Sequence, residues 1–314
     1  MKAQPAITVV IPLYNKEAEV ARAVRSVLSQ TFRDFQLLVV DDGSTDDGPD
    51  IVRRISDPRI TILRQTNQGV SAARNAGVAA ARASLVAFLD ADDEWQPGFL
   101  RAILDLVAAH AAGIYATAYT IARSDGATFA PAIRRAGLRY PGIIEDFFAT
   151  SLGLLSCSSV AIPRHTFLQV GGFRIGLPIG EDFDLWLRIA ARHSVAYCPV
   201  AMAIWHHNSQ NRASDRHASP PVSPAYDSLL ALLRDGGVAW RTKRRMIRWV
   251  ARYEISNILW SFVRQPRPIG AWRQLRLWER RFGSCWRLAH AYLVLRLPLL
   301  WRQKLLRSEK LCGS

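Results

Sequence analysis

The first 110 residues repeat one pattern, a short apolar run followed by a segment with helical spacing, and few folds accommodate it. The apolar runs are Ile7–Ile11, Phe35–Val40, Ile60–Leu63 and Leu85–Phe88. The helical segments are about Lys16–Ser29, Asp47–Ile55, Val70–Arg82 and Pro97–Ala109. Strands that are apolar throughout are buried on both faces, as in parallel sheets covered by helices. The repeat therefore predicts an α/β fold with a doubly wound, mostly parallel sheet.

Beyond this repeat the pattern is less regular, and three further elements are predicted. Strands are expected near Ile114–Ala118 and Ser158–Ile162. A helix is expected over Glu181–Ala190, whose apolar side chains recur at helical spacing behind an acidic first turn.

The net charge of +15 is unevenly distributed along the chain. Residues 1–224 hold 22 Lys and Arg against 21 Asp and Glu, whereas residues 225–314 hold 19 against 5 and seven of the ten tryptophans. We therefore predict a near-neutral globular domain over residues 1–215 and a basic, Trp-rich helical region over residues 225–314.

Cysteine usage and the N-terminus bear on the compartment. The four cysteines form no C-x-x-C pair, which argues against a disulfide framework or a structural zinc site and fits a reducing environment. The first apolar stretch, Ile7–Leu13, lacks a small-residue cleavage site and is interpreted as a strand, not as a signal peptide.

Polar groups follow the predicted strands at the edge where parallel sheets bind ligands. A dinucleotide enzyme would carry G-x-G-x-x-G after its first strand, but this chain has Pro-Leu-Tyr-Asn-Lys-Glu at residues 12–17. The fourth strand is followed by Asp90-Ala-Asp92-Asp93. If the segment is extended, Asp90 and Asp92 face one point, and carboxylates with substrate phosphates typically hold Mg²⁺ or Mn²⁺. Alternatively, residues 90–94 cap the helix expected near Pro97.

Four motifs taken together are more specific than any one of them. ITVVIPLYNKE, VVDDGSTDDG, NQGVSAARNAG and FLDADDEW resemble the family 2 glycosyltransferases, inverting sugar-nucleotide enzymes with the GT-A fold. The resemblance covers roughly residues 5–215. It implies a GT-A, Rossmann-like, mostly parallel central sheet with flanking helices, to which the C-terminal basic helical region is appended.

The resemblance also implies roles for individual residues. Pro12, Tyr14 and Asp42 would surround the nucleotide base, and Arg74 would lie near the nucleotide. Asp90 and Asp92 would form the D-x-D motif that holds Mn²⁺ or Mg²⁺ and the donor diphosphate. Asp93 is also expected in the donor site, and the sequence leaves open whether Asp92 or Asp93 makes the closer metal contact. Turn chemistry and a surface arginine are the plainer alternatives.

Inverting transfer needs a carboxylate that takes the proton of the acceptor hydroxyl. The segment from Gly180 to Arg188 resembles the family's E-D-x-D-L-W-x-R, which makes Asp182 the implied base; ordinary acidic first-turn residues are the alternative. The segment from Trp205 to Arg212 resembles the loop that closes the donor site. His206 would then contact the metal and Arg212 the phosphates, although His207 is not distinguished from His206.

The C-terminal region carries apolar stripes flanked by arginines, a pattern typical of helices that lie in a membrane interface. Its most apolar stretch, Leu288–Trp301, is too short and too interrupted to span a bilayer, which takes about twenty residues. We expect peripheral attachment to the anionic inner face of the cell membrane, in the cytoplasm. A packed helical subdomain and a nucleic-acid-binding tail are the alternatives, but the region matches no nucleic-acid signature and no nucleic acid partner is expected.

These patterns lead to one functional hypothesis. The chain would be a metal-dependent inverting glycosyltransferase of the hexosyltransferase type, which moves a sugar from a nucleotide-diphosphate donor, foremost a UDP-sugar. The acceptor would be lipid-linked or a growing polysaccharide in cell-surface glycan synthesis. The alternative is a non-catalytic nucleotide-sugar or anion-binding protein tethered to the membrane.

Overall fold

The computed structural model describes residues 4–123, 128–130, 139–150, 153–177, 179–207, 209 and 226–249. Predictions for Arg212 and for residues 250–314 lie outside the described residues. The chain divides into two compact units, and the described residues up to Val238 belong to the first and those from Ala239 to the second. The second unit contributes one described helix, over residues 240–249.

The first unit alternates strands and helices along the chain. Its strands are β1 (Ile7–Leu13), β2 (Phe35–Asp41), β3 (Ile60–Arg64), β4 (Leu85–Phe88), β5 (Glu94–Trp95), β6 (Ile114–Ala122), β7 (Thr128–Phe129), β8 (Gly142–Ile143), β9 (Val160–Pro163) and β10 (Val195–His206). Its helices are α1 (Val20–Leu28), α2 (Gly48–Arg53), α3 (Val70–Ala80), α4 (Phe99–Ala109), α5 (Phe147–Thr150), α6 (Arg164–Gln169), α7 (Glu181–Ala190) and α8 (Tyr226–Arg234). All four predicted strand–helix pairs are confirmed.

One mixed sheet organises the unit, in the order β3-β2-β1-β4-β9-β6-β10-β5. The pairs β2–β3, β1–β2, β1–β4 and β6–β10 are parallel, and β9 runs antiparallel to both β4 and β6. The predicted α/β fold with a mostly parallel central sheet is therefore confirmed. Because the strand order reverses at β1, the carboxyl ends of β1 and β4 flank the crevice where such sheets bind ligands.

Alternating side chains of β1 reach two separate cores, which explains its unbroken apolar sequence. Ile7, Val9 and Ile11 pack into the core on the side of α1 and α4, and Val10 packs into the core on the opposite side. On that side α3 approaches very closely, because a Cβ at Gly77 would lie 2.4 Å from Val10 Cγ1. Glycine at position 77 is thus required by the distance between helix and strand.

The longest unpredicted element is β10, which joins the far half of the sheet. It pairs with β6 in parallel, with register shifts between Cys198 and Ala203 around Pro199, which has no N–H to donate. The irregularity hides the strand's period of two in the sequence. β10 ends at His206 and thereby carries the segment predicted to close the donor site back to the D-x-D region.

Within the described residues, none of the helices combines the length and apolar character that a membrane span needs.

Candidate active site

The loops after β1 and β2 form one side of the site. Pro12 is buried at the end of β1, and Tyr14 is half-buried directly after it. Asp42, only 2% exposed, follows β2. One carboxylate oxygen of Asp42 accepts hydrogen bonds from Gln65 Nε2 at 2.7 Å and the Gln68 N–H at 2.9 Å. Asp42 therefore holds the loop that leads into α3.

That loop is compact because Asp42 and its neighbour Gly43 permit a close approach. The other carboxylate oxygen of Asp42 accepts from the Gly69 N–H at 2.8 Å. Gly43 has φ +75°, and a Cβ there would lie 2.9 Å from the backbone nitrogen of Asn67. Glycine adopts this positive φ without strain, and the loop determines where α3, the helix that carries Arg74, begins.

The D-x-D segment is a turn, which corrects the expectation of an extended segment. The Asp93 N–H donates to the Asp90 carbonyl at 3.0 Å, and only Glu94–Trp95 pairs as a strand, with β10. The capping alternative is also not supported, since α4 begins at Phe99 behind Gly98 and has no side-chain cap.

Arg74 joins the D-x-D turn to the acidic helix. Its guanidinium donates to Asp90 Oδ1 at 2.6 Å and to Glu181 Oε1 at 2.7 Å, although these residues are 16 and 107 positions away. The Arg74 side chain is 4% exposed. Burial, opposed by Arg74, raises the pKa of Asp90. The two predicted acidic motifs thus share one buried cation.

Asp182, the predicted base, lies in the first turn of α7 next to Glu181 of this bridge. Gly180 with φ +83° precedes the helix, and the Asp182 carboxylate accepts from the Phe183 N–H at 2.6 Å. Burial, and next the charge of Glu181, raise the pKa of Asp182 to about 7. A carboxylate with this pKa can accept a proton near neutral pH and pass it on.

Asp92 is paired with a lysine of the first motif. Its Oδ2 accepts from Lys16 Nζ at 2.7 Å, with side-chain exposures of 11% for Lys16 and 17% for Asp92. The same ammonium donates to Ser209 Oγ at 2.8 Å, in the segment that follows β10. Asp92, Lys16 and Ser209 therefore connect the D-x-D turn, the first loop and the segment predicted to close the site.

Asp93 points into the interior of the protein. It is fully buried, and its carboxylate accepts from Ser158 Oγ at 2.5 Å and from the His206 N–H at 3.0 Å. Burial, followed by the charges of Asp92 and Asp90, raises its pKa well above the usual range. The His206 ring lies 3.0 Å from Glu94 Oε1. Asp93 therefore holds His206 through its backbone N–H, and the adjacent Glu94 holds it through its ring.

The carboxylates of the turn supply part of the shell that a divalent metal needs, and water or substrate phosphates would supply the rest. Within the described ranges no three His, Cys, Asp or Glu side chains are grouped so as to hold a metal. Mg²⁺ and Mn²⁺ sites in enzymes commonly use one or two carboxylates and complete their shell with substrate phosphates and water. Asp92 and Asp90, both partly exposed carboxylates, fit that kind of site.

Several participants in the site were missed from the sequence, among them a lysine, a glutamate and a serine. Lys16 lies within the first motif, Glu94 directly follows the D-x-D turn, and Ser158 lies in the 3-10 helix Cys157–Ser159 before β9. Lys16 and Glu94 lie within the quoted motifs and could have been identified from the sequence. Ser158 could not, because its role comes from a contact between positions 65 apart.

Comparison with known proteins assigns the family. The model of glycosyl transferase family 2 matches residues 8–167. The succinoglycan biosynthesis protein ExoU of Rhizobium meliloti is 30% identical over 282 residues, 81% of this chain and 78% of that protein. An uncharacterized glycosyltransferase of Nostoc sp. is 44% identical over 103 residues, which cover only 32% of each protein.

Among solved structures, TarS 1-349 from S. aureus in complex with UDP-GlcNAc superposes with a TM-score of 0.66 and 17% identity. The match covers 88% of this chain and 78% of TarS 1-349. It confirms the expected GT-A fold. The family model and the ExoU match together show that the chain belongs to glycosyl transferase family 2.

Proposed function

We propose that the chain is a metal-dependent inverting glycosyltransferase of the hexosyltransferase type, which transfers a sugar from a nucleotide-diphosphate donor. One observation carries the proposal: the buried Arg74 bridges Asp90 and Glu181. The bridge brings the turn predicted for the diphosphate next to the helix that carries the predicted base, Asp182. Transfer requires that the groups which bind the donor diphosphate lie close to the group which accepts the proton of the acceptor hydroxyl.

The reaction would be a single in-line displacement. Asp182 accepts the proton of the acceptor hydroxyl while that oxygen forms a bond to the anomeric carbon. The bond between the anomeric carbon and the diphosphate oxygen breaks, and the electron pair leaves with the nucleoside diphosphate. One displacement inverts the anomeric configuration. A pKa of about 7 suits Asp182 to this proton transfer near neutral pH.

The donor nucleotide would lie against the loops after β1 and β2. Tyr14 is half-buried and offers a ring for stacking, with Pro12 buried behind it. Asp42 would accept a hydrogen bond from a base N–H, and its hydrogen bonds from Gln65 and Gly69 would hold the carboxylate in place for that contact. A UDP-sugar is the preferred donor, which is in keeping with the UDP-GlcNAc and UDP complexes of the similar fold TarS.

Asp92 and Asp90 would hold Mn²⁺ or Mg²⁺ with the diphosphate, and His206 stays a predicted neighbour of the metal. The bound metal would supply positive charge that stabilises the leaving diphosphate. Asp93 is less suited to that contact than Asp92, because its carboxylate is buried against Ser158 and the His206 backbone. Arg212 stays a prediction for the phosphates.

The acceptor is proposed to be lipid-linked or a growing polysaccharide of the cell surface. ExoU is a succinoglycan biosynthesis protein, and the relative TuaG of Bacillus subtilis, 28% identical over 62% of this chain and 75% of that protein, is a putative teichuronic acid biosynthesis glycosyltransferase. Both names concern extended glycans of bacteria, which supports an acceptor of this class.

Attachment to the anionic inner face of the cell membrane is part of the same proposal, with residues 225–314 as the attaching region and residues 1–215 as the catalytic domain. Of the proposed attaching region, α8 belongs to the first compact unit and the helix at 240–249 to the second. The described helix at 240–249 has the expected character. It contains five basic residues and no acidic one, and it exposes Trp240 at 68% and Ile247 at 39%. Each basic residue near an anionic surface contributes about 1 kcal/mol.

The test is transfer from a panel of nucleotide sugars with Mn²⁺ present, using extracted lipid-linked saccharides as acceptors. We expect nucleotide release that depends on acceptor and falls by about 10²- to 10⁴-fold in Asp182→Asn, since general-base help is of that size. If the protein binds nucleotide sugars but releases no nucleotide with any donor, the alternative of a non-catalytic, membrane-tethered binding protein is favoured instead.

A further inference from the structure

Lys16 makes contacts that its place in the first motif does not explain. Its ammonium lies 2.7 Å from Asp92 Oδ2 and 2.8 Å from Ser209 Oγ. Ser209 in turn donates to Glu19 Oε1 at 3.2 Å. Lys16 is thus the cation of a small polar network built around the carboxylate predicted to hold the metal.

The pair is shielded enough for its charges to matter. Lys16 and Asp92 are 11% and 17% exposed, and the Asp92 carbonyl accepts from Arg22 Nη2 at 2.5 Å. A partly buried carboxylate beside other carboxylates is stabilised in its ionised form by a cation in contact with it. Asp92 has Asp90 and Asp93 within its own turn, and Lys16 is the cation in contact with its carboxylate.

We propose that Lys16 is a counter-cation built into the donor site, which competes with the divalent metal for Asp92 and, once displaced, binds the donor diphosphate. This inference rests on the proposed metal site at Asp92. It adds a donor-binding residue and makes metal binding and diphosphate binding depend on one another.

The chemistry of Arg74 and Lys16, cations that pair with carboxylates of the turn, supports a fixed role for Arg74 and a movable one for Lys16. Arg74 is 4% exposed and bonded to two carboxylates at once, so that Asp90 is compensated by a fixed group. Lys16 carries a compact ammonium on a flexible stem, which can turn to a new partner at low cost. When a metal binds Asp92, the ammonium of Lys16 would be released close to where the donor diphosphate binds. The two groups have opposite charges.

The competition can be measured without turnover. Free Mn²⁺ is followed by electron paramagnetic resonance during titration of the purified full chain, first without and then with UDP. The variants are Lys16→Met, Lys16→Arg and Asp92→Ala. Arg25→Met serves as the matched control, because Arg25 is an exposed basic residue of α1, so its loss removes a charge of the same sign.

We expect Lys16→Met to bind Mn²⁺ about tenfold more tightly than wild type without UDP, since one charged hydrogen bond no longer competes. With saturating Mn²⁺, the same variant should bind UDP about tenfold more weakly. Lys16→Arg and Arg25→Met should stay within about twofold of wild type for Mn²⁺. Thermal unfolding of each variant verifies that it is folded.

Two results would overturn the proposal in different ways. If Asp92→Ala loses Mn²⁺ binding while Lys16→Met binds Mn²⁺ and UDP as wild type does, the metal site stands and the role of Lys16 is wrong. If Asp92→Ala binds Mn²⁺ as tightly as wild type, the metal site itself is wrong and the inference about Lys16 is lost with it.

Discussion

Removal of the Arg74 guanidinium should be the most damaging single change at the site. Arg74→Met keeps much of the side chain's volume but leaves Asp90 and Glu181 without the cation that bonds them at 2.6 and 2.7 Å. Breaking a buried ion pair by deleting one partner costs about 3–5 kcal/mol. For a domain of this size that corresponds to a fall in melting temperature of about 10 °C.

The loss should depend on pH in a defined direction. Arg74 lowers the pKa of Asp182 and of Asp90 against the effect of burial, so its removal raises both. As the pH rises toward 8, the carboxyl groups of Asp90 and Asp182 lose protons and repel one another, so the destabilisation grows with pH. Toward pH 5.5 they take up protons in the variant, and the difference from wild type should shrink.

The assay is thermal unfolding of wild type and variant between about pH 5.5 and 8. Arg53→Met is the control, since Arg53 pairs with Asp50 on the surface, with exposures of 50% and 59%, and should matter by less than about 1 kcal/mol. Adding Glu181→Gln to Arg74→Met should recover part of the loss. Equal melting of wild type and Arg74→Met near pH 8 would refute the bridge.

Three further predictions concern the base, the metal and the core. Asp182→Asn should have a higher melting temperature than wild type near pH 8 and the same one near pH 4, because the wild-type carboxylate is costly to bury only when it is ionised and its pKa is raised to about 7. In a pH–rate profile, the wild-type transfer rate should fall as the pH drops below about 7. Transfer should be lost on EDTA treatment and restored by Mn²⁺, and Asp92→Ala should prevent the restoration; full activity in EDTA would contradict the metal site. Gly77→Ala should cost about 1–3 kcal/mol in urea unfolding because its Cβ would meet Val10 at 2.4 Å, whereas Gly236→Ala, with no atom within 4 Å, should be nearly neutral.

The half of the sheet formed by β3, β2, β1 and β4 was predictable because its strands can be recognised from short stretches of sequence. β1, β2 and β4 are buried on both faces, and each is a continuous apolar run in the sequence. β10 gives no such signal, since Pro199 and the register shifts beside it interrupt the alternation. Its existence follows from its partner β6, which lies some eighty residues earlier in the chain.

The site divides in a similar way. Asp42, Asp90 and Asp182 stand at the ends of elements that could be predicted, so their neighbourhood could be anticipated. The pairing of Asp92 with Lys16 and of Asp90 with Arg74 could not, because each joins residues of different elements, 76 and 16 positions apart, whose relative placement depends on the tertiary fold. The inward orientation of Asp93 depends likewise on the turn, which replaced the expected extended segment.

The central claim is tested most directly by nucleotide release from a panel of nucleotide sugars, compared between wild type and Asp182→Asn in the presence of Mn²⁺ and acceptor. The account predicts acceptor-dependent release by wild type with at least one donor, foremost a UDP-sugar, and a fall of about 10²-fold or more in the variant. Equal rates for the two proteins, or no release from any donor by wild type, would contradict it.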